Sequence, residues 1–272
     1  MRPTSHPLQI TPLSGIPEIT AGAPLGQVLS EAILHHGFIP GGGLPAGALD
    51  VLVVAQKVVS KAEGRVVNLD DVTPGEKAKA WAAEWGKDPR VVELVLQESK
   101  RIVRMEHGVL IAETHHGFVC ANAGVDSSNS GGSNAQQKAV LLPKDPDASA
   151  RQLREELLKE WPEESRHAAR LAVIIADSFG RPWRLGQTQV ALGVAGLDPL
   201  ADLKGFRDAD GRKLEVTEIA VADELACAAD LVCPKDASIP AALIRPWYPP
   251  NPDTPEGTAQ ALLRPADKDL FR

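Results

Sequence analysis

Six consecutive apolar residues, Leu171, Ala172, Val173, Ile174, Ile175 and Ala176, run directly into Asp177 and Ser178. A short run rich in β-branched residues reads as a strand. This one ends by presenting a carboxylate and a hydroxyl, with Gly180, Arg181, Trp183 and Arg184 following. A strand-end carboxylate beside guanidinium groups can hold a metal ion next to phosphates. Taken alone, the segment also reads as a strand and turn carrying a solvated ion pair.

A second segment of the same kind favours the first reading. Residues 118–129, FVCANAGVDSSN, begin as a short strand, break at Gly124 and present Asp126, Ser127, Ser128 and Asn129. Asp, Ser and Asn favour turns on their own account, because their side chains bond nearby backbone. Two strand-end aspartates with hydroxyls and an amide also make an all-oxygen ligand set, which suits Mg²⁺ or Mn²⁺ rather than zinc.

A third segment, residues 53–65 (VVAQKVVSKAEGR), carries a strand into Gln56, Lys57, Ser60 and Lys61. Lys57 and Lys61 are four apart and share a face if the segment is helical. A solvated helix face is one reading; a triphosphate held between lysines and metal is the more economical one beside the aspartates. The chain has no GxxxxGK[ST], which excludes a P-loop, and Gly41, Gly42 and Gly43 read as a loop.

The chain has 272 residues, 43% of them hydrophobic, enough for a real core. A net charge of −7 argues against a nucleic-acid surface. No apolar run approaches the roughly 20 residues that span a bilayer, and the N-terminus has no signal-peptide stretch, so a cytoplasmic protein is expected. Cys120, Cys227 and Cys233 lack CxxC spacing and read as reduced structural thiols.

Helix-like and strand-like segments mix without a regular βαβ alternation. Helical spacing of Leu25, Val28, Leu29, Ala32 and Ile33 follows Pro24, and residues 49–55 read as a buried strand. Asp88-Pro89 starts a helix whose apolar face is Val92, Val95, Leu96, Ser99, Ile102 and Val103. Strands are expected at 109–113 and 118–121, joined through His115 and His116, which read as turn residues. The highly charged stretch near 143–169 reads as a surface excursion with a helix at 150–161. Residues 217–232 read as a helix whose Asp223 and Glu224 form a charged face, and 243–245 as a last short strand.

Several motifs in order carry a resemblance over nearly the whole chain. Gly15-Ile16-Pro17-Glu18-Ile19, the QKVVSKAEGR of residues 56–65, the AGVDSSN of 123–129 and the DSFGRPWR of 177–184 resemble the coenzyme F420-0:L-glutamate ligase family. The similarity continues through Ala222-Asp223-Glu224-Leu225-Ala226 and Ile239-Pro240, closing at Asp269-Leu270-Phe271-Arg272. It implies one ligase domain over 1–272 with an α+β, two-lobed, intertwined homodimeric architecture.

The implied activity is GTP-dependent γ-glutamyl ligation of L-glutamate to the deazaflavin coenzyme F420-0 through an acyl phosphate, with two Mg²⁺ or Mn²⁺ ions and potassium as a further cation. By the same resemblance, Ile16, Pro17, Glu18 and Ile19 lie against the nucleotide, Gln56, Lys57 and Lys61 at its phosphates, and Asn129 on the nucleotide. Asp126 and Asp177 share one ion and Ser178 takes a second. Lys235, Asp236, Ala237, Ser238, Ile239 and Pro240 complete the nucleotide pocket, and Lys61 and Arg181 neutralise developing charge. Cys233-Pro234-Lys235 departs from the family's pattern, because an ammonium cannot ligate a cation. The residues also admit an amide ligase of the same fold acting on a different acyl acceptor, or a non-catalytic nucleotide-binding relative.

Overall fold

The computed structural model describes residues 7–127, 137–168, 170–251 and 254–270. In chain order the elements are β1 (Gln9–Pro12), α1 (Leu25–His35), β2 (Leu49–Ala55), α2 (Gln56–Ala62), β3 (Val66–Asn68), α3 (Glu76–Trp85), α4 (Pro89–Gln97), β4 (Ser99–Glu106), β5 (Val109–Thr114) and β6 (Val119–Ala121). There follow β7 (Lys138–Val140), α5 (Pro146–Glu160), α6 (Glu163–Ala168), β8 (Leu171–Arg181), β9 (Arg184–Ala195), β10 (Ala201–Asp202), β11 (Glu218–Ile219), α7 (Val221–Asp230) and β12 (Ala241–Trp247). Helices and sheets are mixed without a regular alternation, an α+β arrangement.

The two apolar runs meet at the centre. β2 and β8 pair in parallel from Asp50↔Leu171 to Ala55↔Ala176, inside a sheet of order β1-β12-β2-β8-β9 whose other pairings are antiparallel. Leu52, Val54, Val173 and Ile175 face a core shared with α1 and α5, while Val51, Val53, Ala172 and Ile174 face α7. Both faces are covered, which is why neither run alternates with polar residues. A separate apolar cluster, with Leu69, Trp81, Val92, Val95, Leu110 and Leu141, joins α3 and α4 to the β4-β5-β6 sheet.

Four expectations are corrected. The helix from Asp88 stops at Gln97, and Ile102 and Val103 lie in β4. Two bulges against β5, between Ser99 and Arg101 and between Ile102 and Arg104, shift the inward positions to every third residue, so Ser99, Ile102 and Met105 turn inward. That spacing imitates a helix. The helix read at 217–232 begins only at Val221, because Glu218–Ile219 pairs with Ala201–Asp202. The strand read at 243–245 spans Ala241–Trp247 and lies inside the sheet.

The fourth correction is the largest. The charged stretch is no surface excursion, because α5 packs on α1, β8 and β9 and buries Ala150, Leu153 and Leu157. Its charges occupy the opposite face, with Arg151, Glu155, Lys159 and Glu160 exposed. Buried Asp147 at its start accepts from the backbone N–H of Val194 and of Ala259, each at 2.9 Å. Asp147→Ala leaves both donors without that acceptor, and a loss of about 2–4 kcal/mol is expected. Urea unfolding monitored by circular dichroism checks this; an unchanged midpoint would contradict the docking role.

Candidate functional site

The chain turns from β2 into α2 without a loop, so the strand's end delivers Gln56 and Lys57 together. Buried Gln56 is held through its Oε1 by the Ser60 hydroxyl at 2.8 Å. The helical spacing puts Lys57 and Lys61 on one side of α2, and both line a cavity of about 490 Å³. Each lysine meets a carboxylate there: Lys57 Nζ lies 2.6 Å from Asp126 Oδ2, and Lys61 Nζ lies 2.6 Å from Glu18 Oε1.

Asp126 reaches this cavity through an unusual turn. Asn122, Ala123 and Gly124 follow β6 with φ of 52, 50 and 72°, a left-handed run that costs L-residues energy. Gly124 is required on a second count, since a Cβ there would lie 2.7 Å from Leu142 Cγ. The turn delivers Asp126 to a backbone bridge with Val140, which exchanges hydrogen bonds of 2.9 and 2.8 Å with it.

Asp177 is not at the tip of its strand, because β8 continues to Arg181 and forms a long hairpin with β9. It is instead the first residue beyond the point where β2 stops pairing, at Ala55↔Ala176. A register shift follows Ile175, and the backbone N–H of Ala191 donates to Asp223 Oδ1 at 2.8 Å. Asp223 is therefore part of the hairpin's anchoring on α7 rather than a solvated helix face.

Burial pushes the Asp177 carboxyl up to about 6; the Ser178 N–H opposes this, the Asp126 charge adds to it, and Lys57 and Lys235 oppose it. The Cys120 thiol is pushed up to about 12, first by burial and then by the Asp177 charge, so it stays protonated and structural. The three cysteines are free thiols.

Most of the residues singled out in the sequence converge on this cavity. Ile16, Pro17, Glu18, Ile19, Gln56, Lys57, Lys61, Asp126, Asp177, Ser178, Lys235, Ser238, Ile239 and Pro240 line it. Asp236 and Ala237 do not line it, and neither does Arg181, whose guanidinium donates to the Leu185 carbonyl at 3.0 Å. Ser128 and Asn129 lie outside the described residues. His115 and His116 are turn residues, with Nε2 donating to the carbonyls of Gln97 and Pro143 at 2.9 Å each. A second cavity of about 530 Å³ opens at the other end of β2 and β8, against Leu49 and Leu171, and holds none of these residues.

Two further polar residues lining the cavity, Gln189 and Asp230, are not evident from motifs, nor is Gln187, which supports Lys235 from β9. Gln189 Nε2 donates to Ser178 Oγ at 2.8 Å and to Asp230 Oδ1 at 2.9 Å, and Gln187 Oε1 accepts from Lys235 Nζ at 3.1 Å. The available signal was the alternation of the two glutamines along β9, which puts both on one face.

The arrangement suits a hard divalent cation. Asp177 is a desolvated carboxylate beside a like charge, a situation that a cation relieves. Among the described residues no group of three or more His, Cys, Asp or Glu converges on a metal position. Two carboxylates and a hydroxyl leave room for water and substrate phosphates, as Mg²⁺ sites of phosphoryl-transfer enzymes do. No helix among the described residues is long and apolar enough to cross a membrane.

Comparison with known proteins identifies a family. The family described as F420-0:gamma-glutamyl ligase matches residues 15–246. The chain is 44% identical over 261 residues to the coenzyme F420:L-glutamate ligase of Methanothermobacter thermautotrophicus, covering 96% of this chain and 97% of that protein. It is 42% identical over 224 residues to the protein of that name from Methanocaldococcus jannaschii, covering 82% and 84%. The one from Methanopyrus kandleri is 40% identical over 269 residues, covering 97% and 98%.

Proposed function

The chain belongs to the F420-0:gamma-glutamyl ligase family, and from that premise we propose that it uses GTP to join L-glutamate to the deazaflavin coenzyme F420-0. It is a ligase of the acid–amino-acid type. One observation carries the finer reading: Asp126 and Asp177, delivered by separate segments, meet Lys57 and Lys61 in one cavity. Carboxylates for a divalent cation and lysines for phosphates are the parts that phosphoryl transfer requires.

A carboxylate and an ammonium do not condense at neutral pH, because oxide is too poor a leaving group. Attack of the acceptor's carboxylate on the γ-phosphorus of GTP releases GDP and leaves an acyl phosphate. The amine of glutamate then attacks the acyl carbon, and phosphate departs. Bound Mg²⁺ or Mn²⁺ neutralises charge on the transferring phosphoryl group. Asp126 and Asp177 would hold one such ion, and the Ser178 hydroxyl would help to hold a second.

Lys57, now paired with Asp126, could meet a phosphate oxygen if Asp126 held a cation, and Lys61, now paired with Glu18, could likewise serve the triphosphate. The carboxylates thus keep both lysines in place before the nucleotide enters. Ile16, Pro17 and Ile19 on one wall and Ser238, Ile239 and Pro240 on the other enclose the nucleotide.

The test is incubation of pure protein with GTP, Mn²⁺ or Mg²⁺, L-glutamate and the unglutamylated coenzyme. Mass spectrometry should find added glutamate units, with one GDP for each. Absence of both product and GDP would defeat the proposal, and product from ATP alone would overturn the nucleotide assignment.

The same reading has the enzyme act as a homodimer. At the tip of the β8–β9 hairpin, Trp183 is 77% and Leu185 is 97% exposed, large apolar surface for a partner to cover. Sedimentation equilibrium should give twice the 28.9 kDa chain mass. The Trp183→Ser/Leu185→Lys double variant should shift toward monomer, and a monomeric wild-type protein would remove the idea.

A further inference from the structure

We propose that Asp230 and Lys235 form the subsite for the incoming amino acid, with Asp230 holding its ammonium group and taking its proton, and Lys235 holding its α-carboxylate. The inference rests on the ligase reading of the cavity and names the part of it that faces the second substrate.

Besides Asp177, whose carboxyl feels both Lys57 and Lys235, the charges of the cavity fall into two groups. Lys57 and Lys61 are matched with Asp126 and Glu18. Asp230 and Lys235 also line the cavity, but their hydrogen-bond partners are neutral glutamines on β9: Gln189 for Asp230 and Gln187 for Lys235. Among the described residues, no oppositely charged side-chain group lies within 4.0 Å of either. A carboxylate only accepts hydrogen bonds and an ammonium only donates them. The two amides therefore present opposite ends, nitrogen to Asp230 and oxygen to Lys235.

The pairing of charges suits a zwitterion. Gln187 and Gln189 alternate along β9 and project from the same face, so the carboxylate that one holds and the ammonium that the other holds are kept as neighbours. Asp230 is also the last residue of α7, where the helix carbonyls already disfavour a carboxylate and favour a cation. A bound ammonium relieves that conflict. Gln189 additionally ties Asp230 to Ser178, which places the amine beside the phosphoryl-transfer centre; Gln189 is a positioning residue.

The step balances. The ammonium gives one proton to the Asp230 carboxylate, and the freed lone pair attacks the acyl carbon of the acyl phosphate. A C–N bond forms and the C–O bond to phosphate breaks. The nitrogen's second proton leaves with the phosphate, and Asp230 returns its proton to solvent.

The experiment separates the two half-reactions. Hydroxylamine is an unprotonated nucleophile near neutral pH and traps the acyl phosphate as a hydroxamate without needing an ammonium site. Asp230→Asn is expected to lower kcat/KM for L-glutamate by about 100-fold or more. Hydroxamate formation from GTP and the coenzyme should stay within about threefold of wild type, and Asp230→Glu should recover part of the ligation.

Equal loss of both half-reactions would assign Asp230 to phosphoryl transfer and overturn the proposal, as would normal ligation by Asp230→Asn. Wild-type protein forming neither hydroxamate nor GDP would overturn the ligase reading along with it. Lys235→Met supplies an arm independent of Asp230. Wild type should prefer L-glutamate to 4-aminobutyrate, which lacks the α-carboxylate, and the variant should lose that preference by at least about tenfold. An unchanged preference overturns the role of Lys235.

Discussion

Asp177→Ala should abolish glutamate addition, with a fall of about 1,000-fold or more in turnover, while the protein remains folded. The ionisable groups whose charges act on Asp177 are poor substitutes for it. Lys57 and Lys235 carry the wrong charge, and the adjacent Cys120 thiol is held near 12, far from ionising at neutral pH. Of the two carboxylates proposed to share the cation, only Asp126 would remain.

The same variant should not lose stability in metal-free buffer. The Asp177 carboxyl lies near 6 in the fold against an ordinary 3.8, so the fold disfavours its ionised form. A raised carboxyl contributes its stability below the ordinary value and loses it as pH rises through 6. At pH 7.5 the ionised group opposes folding by at most roughly 3 kcal/mol, less whatever solvent screens. The thermal midpoint of Asp177→Ala should therefore equal or exceed that of wild type at pH 7.5, and the gap should narrow toward pH 4. Glutamate addition at a normal rate would remove the cation assignment.

Gly193→Ala should destabilise the protein by at least about 4 kcal/mol, enough to prevent accumulation of folded chain. A Cβ at Gly193 would lie 2.1 Å from the Pro146 carbonyl oxygen and 2.3 Å from its carbon. Backbone faces backbone there, so no side-chain rotation relieves the clash. Moving the start of α5 away would also draw Asp147 from the N–H groups of Val194 and Ala259. Gly180→Ala is the control, because its Cβ meets nothing within 4 Å. Wild-type denaturation of Gly193→Ala would show that α5 does not rest on β9.

Local reading succeeded where the environment was uniform. Leu49–Ala55 is a strand from end to end because both faces meet apolar layers, so a simple apolar run is its full signature. It failed where two environments shared one segment. Half the circumference of α5 is charged, which hides Ala150, Leu153 and Leu157 on the other half. The bulges of β4 gave a strand the spacing of a helix, and no residue type in SKRIVRME marks them.

The site divides along the same line. Lys57, Lys61, Asp126 and Asp177 stand in short segments whose side chains, turn residues and order are the basis of the proposed phosphate and cation chemistry, without reference to the rest of the chain. Pairing between distant segments is a different matter. The meeting of Asp126 with Lys57, the seating of Asp177 just past the end of β2, and the tethering of Asp230 and Lys235 to alternate residues of β9 arise from sheet register and helix docking. Reactive groups are local properties of a chain and can be read in order. Which of them share a cavity depends on long-range packing, and that is why the pairing of Asp230 with Lys235, proposed to receive the amino acid, became visible only once α7 and β9 were in place.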